Sequence, residues 1–468
     1  MPAGKPRGIA VTDVGYTNTK LILFDSAGNL ISERKVSSRH VETSLYKTID
    51  PEPAITFFKS AIPELDAILP VDVIVPCAHG AAMACVAKDG SLALPIMDYL
   101  SDPPAEIRAE YLKAAPSFAE AYCTTLPAAL THGLQLYWQQ KAWPREFSNT
   151  ATLMPWIQYI GYRLCGAPCV EITSMSCQTH LMNVVGGGYS SLAKRQGWDK
   201  LFPPMRNAWE EIGKLKPEFC GRGLKGNSAV LAGIHDSSAN YVRYQAAGLQ
   251  SFTLLSTGTW SISFDAATPV SALDEARDTC TNTGIFGQRI ATSRFFAGKE
   301  YEILTKGVAA NPEKGEVESL IAAGVFALPS FSNSGGPVPG SGLKGRIIGP
   351  APSSPVGLAS LASLYCALMV SEQLDAVGSK GDIIIDGPFA ENACFLAILA
   401  TLRKDQSVLS SDIRDGTTAG AACLALVENG KLPHIELHLR PASPARIEQL
   451  PDYRARWRDM AYGGARAR

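Results

Sequence analysis

Apolar and polar residues follow one another along the chain in the pattern of a mixed α/β protein. Near the start, the apolar residues 9–11 are followed by a polar, Gly-containing stretch at 13–18 and a second apolar run at 21–24. Two apolar runs joined by such a turn predict a β-hairpin. Residues 71–75 predict a further strand, which ends on a cluster of small residues before Gly80.

The same arrangement recurs in the middle of the chain. Residues 252–255 predict a strand, 256–259 a Thr/Gly turn and 261–264 an alternating strand. Two strand–turn–strand units, each followed by mixed helix and strand, predict two related α/β domains. We therefore expect one domain over residues 1–245 and a second over residues 246–468.

Other stretches predict helices, strands and one long loop. Residues 333–355 are rich in Gly, Pro and Ser without periodicity, which is typical of a loop. Apolar spacing predicts helices at 106–114, 152–164, 358–377, 394–403 and 418–428, and strands at 230–232 and 382–385.

Composition narrows the classes of partner. The 468 residues carry a net charge of -1, without the local basic excess that a nucleic acid or a membrane surface would require. A neutral small molecule fits better, and a homodimer is compatible with the sequence. The start of the chain lacks the pattern of a signal peptide, and the apolar runs are read as too short to cross a bilayer. Eleven scattered cysteines are typical of a reducing compartment, so we expect a cytoplasmic protein.

Several patterns suggest other chemistry but lack its context. G-x-G-x-x-G occurs twice, without the strand before and the helix after that a dinucleotide site needs, and no P-loop sequence exists. Cys165, Cys169, Cys177 and His180 fit no common zinc spacing, so packing is the better interpretation. The two Gly patterns are Gly221, Gly223, Gly226 and Gly340, Gly342, Gly345.

Three segments carry residues suited to phosphate and hydroxyl chemistry. The turn from Asp13 to Lys20 offers backbone amides for phosphate oxygens and an acid for a metal ion, although a surface hairpin is the simpler interpretation. His235 and Asp236 follow the strand at 230–232, where an acid can reach a substrate hydroxyl; the alternative is that Asp236 caps the next helix. The Thr/Gly turn at 256–259 and the Gly turn around Gly387 would let the backbone approach a nucleotide.

In this order and spacing the segments resemble the FGGY family of carbohydrate kinases, within the actin-like ATPases, and the rhamnulokinase branch in particular. The resemblance covers nearly the whole chain. Besides the opening turn, it rests on His79-Gly80, Asp89-Gly90, Pro95, Met154-Pro155, residues 162–166, Thr173-Ser174, Gln178, His235-Asp236 and residues 258–261.

The resemblance implies an α/β fold of two actin-like (ribonuclease H-like) domains flanking a catalytic cleft, with sugar bound by the first domain and nucleotide by the second. It implies ATP and Mg²⁺, the metal being held by Asp13 and Asp236, and transfer of the γ-phosphate to a small ketose. Asp236 would be the catalytic base. Phosphate and nucleotide contacts would be Asp13, Gly15, Thr17, Asn18, Thr19, Lys20, Gly258, Thr259, Gly387 and Asn392. Sugar contacts would be His79, Gly80, Asp98, Gln178, His235 and Arg294.

Some positions depart from the rhamnulokinase pattern. Ala82 and Trp156 stand where those enzymes tend to have acids, and Asp386-Gly387-Pro388 replaces a Gly-Gly-Gly turn. A kinase of a pentulose or a polyol is therefore the alternative to one of a 6-deoxyketohexose such as rhamnulose or fuculose. A non-catalytic sugar sensor of the same fold is a third possibility, disfavoured because no DNA-binding helix-turn-helix precedes the first strand.

Overall fold

The computed structural model describes residues 6–221, 227–332, 336–411 and 416–463, which belong to two compact units. The first unit comprises Met1–Gly248, Asn282–Gln288 and Asp415–Glu436; the second comprises Leu249–Thr281, Arg289–Arg414 and Leu437–Arg468. The sequence predicts a single boundary after residue 245, whereas two later segments return to the first unit.

The first unit contains most of the shorter elements. Its strands are β1 (Gly8–Val14), β2 (Asn18–Asp25), β3 (Leu30–Ser37), β4 (Arg39–Glu42), β5 (Lys47–Asp50), β6 (Val71–Ala78), β7 (Met83–Ala87), β8 (Leu92–Leu94), β9 (Ile96–Met97), β10 (Thr150–Pro155), β11 (Val170–Glu171), β12 (Met205–Arg206), β13 (Glu211–Lys214), β14 (Ala229–Leu231) and β15 (Ile234–His235). Its helices up to residue 248 are α1 (Glu52–Asp66), α2 (Ala105–Ala114), α3 (Phe118–Ala121), α4 (His132–Ala142), α5 (Pro144–Phe147), α6 (Trp156–Cys165), α7 (Ile172–Ser176), α8 (Ser191–Gln196) and α9 (Asp236–Ala246).

The chain from residue 249 onward contributes the remaining elements. The strands are β16 (Phe252–Thr257), β17 (Ser261–Asp265), β18 (Thr279–Thr283), β19 (Arg289–Phe295), β20 (Phe326–Leu328), β21 (Arg346–Ile348), β22 (Asp382–Asp386), β23 (Val408–Ser411) and β24 (Leu439–Pro441). The helices are α10 (Ala297–Thr305), α11 (Lys314–Ala322), α12 (Pro355–Ala376), α13 (Ala393–Leu402), α14 (Gly416–Cys423), which lies in the first unit, and α15 (Leu450–Ala461).

The central sheet of the first unit has the order β13-β14-β6-β1-β2-β3, and β15 also pairs with β6. Strands β1, β14 and β15 run parallel to β6, whereas β1 and β2 form the predicted antiparallel hairpin. Alternate residues of β1 enter two different cores: Ala10 packs with residues of α1 and α6, and Val11 packs with residues of α9 and α14. Helices therefore cover both faces of this sheet.

The return of α14 to the first unit depends on small side chains. A Cβ placed on Gly420 would overlap the carbonyl oxygen of Ala239 in α9 and lie 2.8 Å from its carbonyl carbon. Ala421 and Ala422 beside it are buried. Only a glycine lets the two helices approach this closely, and a boundary drawn from strand patterns does not detect such a contact.

The second unit is built on a sheet of order β18-β19-β17-β16-β22-β23-β24, in which β16 and β22 are parallel. Helix α12 is buried over nearly its whole length in the core of this unit. It is long and apolar enough to span a membrane by length and composition, which corrects the interpretation that all apolar runs are too short. Since 89% of its apolar window is buried within the protein, its apolarity is explained by its place in the core.

Two predicted elements differ from the structure. Residues 152–164 are predicted as one helix, but they form the end of β10 and then α6, because Pro155 lacks the N–H that a continuing helix needs. The predicted loop 333–355 contains the short strand β21, paired with β20, and its last residue starts α12; residues 333–335 lie outside the described part. Gly345 is followed by this strand rather than a helix. Gly223 and Gly226 also lie outside the described residues.

Candidate active site

The turn between β1 and β2 is held by hydrogen bonds within the turn and to Ser38, which follows β3. The amide of Gly15 donates to the carbonyl of Asn18 at 2.9 Å, and the Ser38 hydroxyl donates to the carbonyl of Gly15 at 2.8 Å. Thr19 is buried and its hydroxyl lies 3.2 Å from that of Ser38, whereas Thr17 and Asn18 are exposed. The turn is therefore fixed on one side and open on the other, as a phosphate-binding turn requires.

Asp98 supports this turn through Tyr16. The Tyr16 hydroxyl donates to the Asp98 carboxylate at 3.1 Å and accepts from Lys47 Nζ at 3.0 Å. His40 lies 2.7 Å from both the Asp98 carboxylate and the Tyr16 carbonyl. The Asp98 side chain is fully buried and also accepts from the amide of Leu100. The resemblance implies Asp98 as a sugar contact. In the structure, its carboxylate instead bonds to other groups of the protein.

Three parallel strands of the first unit end side by side. In the pairing register, Asp13, Cys77 and Ile234 lie in one row, and the next row contains Ala78 and His235. Burial raises the pKa of the Cys77 thiol, and the carboxylates of Asp13 and Asp236 raise it further. Strands β1 and β15 pair with the same residues of β6 and therefore lie on opposite sides of it. Asp13 and Asp236 thus lie on either side of the end of β6, at the edge of the sheet where α/β proteins bind ligands.

Asp236 is not the N-cap residue of the following helix, although its carboxylate accepts from one first-turn amide. The N-cap of α9 is His235, and Asp236 is the first helical residue. One carboxylate oxygen of Asp236 accepts from the amide of Ser237 at 2.6 Å and lies 3.3 Å from Nε2 of His235. The side chain remains 31% exposed, so a carboxylate oxygen can meet a ligand.

His79, Gly80 and His235 are neighbours at this sheet edge. A Cβ on Gly80 would lie 2.8 Å from Nε2 of His235, so a larger residue there would displace the His235 ring. Burial lowers the pKa of His79, although its bond to the Gly80 carbonyl and the charge of Asp236 act in the opposite direction. Burial also lowers the pKa of His235, but Cys177, Asp236 and Glu171 raise it, to about 9.

Glu171, which sequence reasoning missed, organises the segment that leads to Gln178. Its side chain caps α7, accepting from the amides of Thr173 at 3.0 Å and Ser174 at 3.2 Å. The Thr173 hydroxyl donates to the same carboxylate and accepts from the amide of His235 at 3.2 Å. Burial raises the pKa of Glu171 to about 7. Its signal in the sequence is an acid two residues before a Thr at a helix start.

Gln178 follows α7 in a left-handed conformation, with φ +58°, that is uncommon for a residue with a side chain. It is half-buried. Such conformations persist where the surrounding structure fixes them and are concentrated at ligand sites.

In the second unit, the Gly258-Thr259 turn lies against the start of α10. The amide of Gly298 donates to the Thr259 carbonyl at 3.1 Å, and a Cβ on Gly298 would overlap the carbonyl oxygen of Gly258. Gly387 follows the neighbouring strand β22 with φ +87° and ψ -165°, a conformation nearly restricted to glycine. Both turns depend on glycine at close backbone contacts.

A cavity of about 710 Å³ opens beside these turns. Asn392 lines it while capping α13, since its side chain accepts from the amide of Phe395 at 2.9 Å and donates to Ser363 at 3.0 Å. The volume is in the range of small-molecule sites. Its lining consists of Gly258, Thr259, Gly298, Lys299, Tyr301, Glu302, Ala310, Asn311, Pro312, Pro388, Phe389, Glu391, Asn392, Ala393 and Cys394. Sequence reasoning did not identify residues 298–302 and 310–312 as part of a site, because it assigned no structural element to this region.

Arg294, predicted as a sugar contact, lies in the second unit, whereas the other predicted sugar contacts lie in the first. It is buried, pairs with Asp278 and lies over the ring of Trp260 at 5.8 Å. The structure therefore places it on the strand β19, next to the Gly258-Thr259 hairpin.

The two acids of the first unit suit a magnesium ion that is bound mainly through a substrate. Mg²⁺ commonly takes one or two carboxylates together with phosphate oxygens and water. Asp13 and Asp236, on either side of β6, could supply such carboxylates. Within the described ranges, no three His, Cys, Asp or Glu side chains form a site that could hold a metal by themselves.

Comparison with known proteins matches both halves of the chain. Residues 9–242 match the N-terminal domain of the FGGY family of carbohydrate kinases, and residues 249–433 match the C-terminal domain of carbohydrate kinase FGGY. None of the curated proteins matches the sequence significantly.

Solved structures match over almost the full length. A carbohydrate kinase from Novosphingobium aromaticivorans is 30% identical, with a TM-score of 0.87 over 98% of this chain and 99% of that one. A xylulose kinase from Rhodospirillum rubrum is 17% identical, with a TM-score of 0.78 over 97% and 98%. A gluconate kinase from Lactobacillus acidophilus is 14% identical, with a TM-score of 0.78 over 98% and 97%. The predicted two-domain α/β fold of the actin-like type is confirmed.

Proposed function

The chain belongs to the FGGY family of carbohydrate kinases, and we propose that it transfers the γ-phosphate of ATP to a hydroxyl of a small ketose, with Asp236 as the base. That it is a sugar or polyol kinase, and thus a phosphotransferase, follows from the family. The carbohydrate kinases of this family use ATP, usually with Mg²⁺. The roles of the individual residues and the identity of the sugar are our proposals.

The arrangement of Asp13, His79, His235 and Asp236 carries the proposal. Asp13 lies at the end of β1 and Asp236 directly follows β15, on either side of β6. His79 follows β6 between these strands, and His235 ends β15. Asp236 would accept the proton from the attacking hydroxyl, while His79, Gly80, Gln178 and His235 hold the sugar. A carboxylate in this role needs no raised pKa, because the proton moves late in a loose transition state.

The phosphates are assigned to the two turns. The open side of the Gly15–Lys20 turn, with Thr17 and Asn18 exposed, would contact the transferred phosphate. In the second unit, the Gly258-Thr259 turn would hold phosphate and the cavity beside Gly387 and Asn392 would hold the nucleoside. Magnesium, when bound, neutralises charge on the phosphate oxygens. Asp13 and Asp236 would hold it.

The sugar we favour is a 6-deoxyketohexose such as rhamnulose or fuculose, from the likeness of the motifs to rhamnulokinases. The residues at positions 82 and 156 support the alternatives of a pentulose or a polyol. Ala82 and Trp156, which replace acids of that pattern, are both buried and are joined by a bond from the Trp156 amide to the Ala82 carbonyl at 2.9 Å. The two acids are thus replaced together by an apolar pair. We also place the enzyme in the cytoplasm, supported by eleven free cysteines.

A substrate panel tests this proposal. ADP release is measured by a coupled assay with rhamnulose, fuculose, xylulose, glycerol and gluconate, each with Asp236→Asn protein as the control for contaminating kinases. We expect sugar-dependent ADP release with a ketose. ADP release that is the same without any sugar, or absent with all five, would contradict the proposal.

A further inference from the structure

His132, at the start of α4, lies between the two chain segments assigned to the sugar. A Cβ on Gly80 would lie 4.0 Å from Cε1 of His132. On the other side, the amide of Gly133 donates to the carbonyl of Thr179, next to Gln178, at 2.9 Å. The first turn of α4 is therefore fixed against both segments.

The polar atoms of this turn are incompletely satisfied. His132 is 2% exposed, yet its Nδ1 has no hydrogen-bond partner among the described residues. One turn later, Gln135 donates from Nε2 to the carbonyls of Ala81 at 2.6 Å and Ala129 at 2.7 Å, while its Oε1 likewise has no partner there. A buried polar atom without a partner costs about 1–3 kcal/mol, so a ligand that bonds to these two atoms beside Gly80 and Ala81 would recover part of that energy.

His132 is also uncharged. Burial, together with the neighbouring His235 and His79, lowers its pKa to about 3. A neutral imidazole has one donor and one acceptor nitrogen, which suits a hydroxyl group. It gives a carboxylate no ion pair to offset the loss of its hydration. The charge that His235 carries is already paired with the Asp236 carboxylate, 3.3 Å from its Nε2.

We infer that His132 is a specificity-determining residue of the sugar site, which hydrogen-bonds a substrate hydroxyl and favours neutral polyhydroxy substrates over sugar acids. Gln135 acts as a positioning residue, since its amide holds the Gly80–Ala81 segment through the Ala81 carbonyl. Ala81 itself has φ +57°, so this segment needs such support. The inference rests on the proposed kinase function.

The test compares His132→Leu with His132→Asn, whose amide can replace Nδ1. Initial rates are measured with rhamnulose and xylulose, and binding of the same two sugars without ATP is measured by calorimetry. For the better of the two sugars, His132→Leu should raise KM and the sugar Kd at least about tenfold, the loss of about one hydrogen bond. Its kcat and its KM for ATP should stay within about threefold. His132→Asn should keep the sugar KM within about threefold. If His132→Leu does not fold, His132→Ala takes its place.

His180 provides the matched control. It is also buried in the first unit, but both its ring nitrogens are engaged, with the Tyr111 hydroxyl at 2.8 Å and the Cys123 carbonyl at 2.9 Å. His180→Asn, suited to the left-handed backbone at this position, should lower the melting temperature without changing the sugar KM. This separates loss of a ligand contact from loss of packing.

Selectivity is measured on the wild-type enzyme. We expect kcat/KM for the better neutral ketose to exceed that for gluconate at least about a hundredfold. Unchanged sugar KM and Kd in His132→Leu, or gluconate turned over as well as the ketose, would overturn this inference while leaving the kinase function intact. Failure of the wild-type enzyme with every sugar would instead overturn the proposed function, and the inference with it.

Discussion

Replacing Gly387 by alanine tests whether the backbone of this turn shapes the cavity assigned to the nucleoside of ATP. Gly387 has φ +87° and ψ -165°, and an added Cβ would overlap the carbonyl oxygen of Thr257 and lie 2.9 Å from its carbonyl carbon. The backbone conformation alone costs a non-glycine residue about 1–3 kcal/mol, and relief of the overlap costs a similar amount.

Relief of that overlap must displace the turn that borders the cavity. The Thr257 hydroxyl donates to the Asp386 carbonyl at 2.5 Å and accepts from the Phe389 amide at 3.2 Å. Phe389 and Pro388 line the cavity, so the displacement should also weaken ATP binding. We expect the Kd for ATP to rise at least about tenfold.

Gly324→Ala is the matched control. Gly324 lies in the second unit with φ +66°, and nothing lies within 4 Å of a Cβ placed there. Its substitution should cost only the left-handed backbone, about 1–2 kcal/mol. We expect Gly387→Ala to cost about 3 kcal/mol more, which lowers the melting temperature by about a further 6–12 °C for a domain of this size. Equal melting temperatures and equal ATP affinity of the two variants would show that the contact of Gly387 with Thr257 neither requires glycine nor shapes the ATP site.

Two further predictions concern the first unit. Asp13→Asn should leave the melting temperature nearly unchanged and lower turnover at least about a hundredfold, by loss of magnesium placement; normal turnover in limiting magnesium would remove Asp13 from the site. Glu171→Gln tests the buried acid: because burial raises its pKa from 4.5 to about 7, the wild type should lose stability relative to this variant as pH rises from about 4.5 to 7, with no further change above. Urea unfolding across this pH range measures the difference, and a constant difference would contradict a buried titrating Glu171.

Local sequence signals were sufficient for the strands and turns that carry the predicted chemistry. The hairpin around Gly15, the strand β14 predicted at 230–232 and the Thr/Gly turn at Gly258 all lie within short stretches whose pattern determines their structure. These are also the segments whose order resembles the family. Prediction succeeded where a few consecutive residues decide the backbone.

Contacts between distant parts of the chain were not predictable in this way. The return of α14 to α9 depends on the fit of Gly420 against Ala239, and no local pattern encodes the partner of a small residue. The resemblance implies Asp98 as a sugar contact, yet in the folded chain its carboxylate accepts from the Tyr16 hydroxyl. His132 begins α4, whose sequence carries no recognisable motif. Only its position beside Gly80 in the folded chain suggests a role in sugar binding.

Asp236→Asn tests the central claim most directly. Asn is nearly isosteric with Asp, and its side-chain oxygen can still accept from the Ser237 amide, so the protein should fold with little change in melting temperature. It cannot accept the hydroxyl proton. We expect that kcat with the best sugar of the panel falls at least about a hundredfold, while calorimetry shows sugar and ATP still bound. A stable Asp236→Asn protein with near-normal kcat would contradict the assignment of Asp236 as the base.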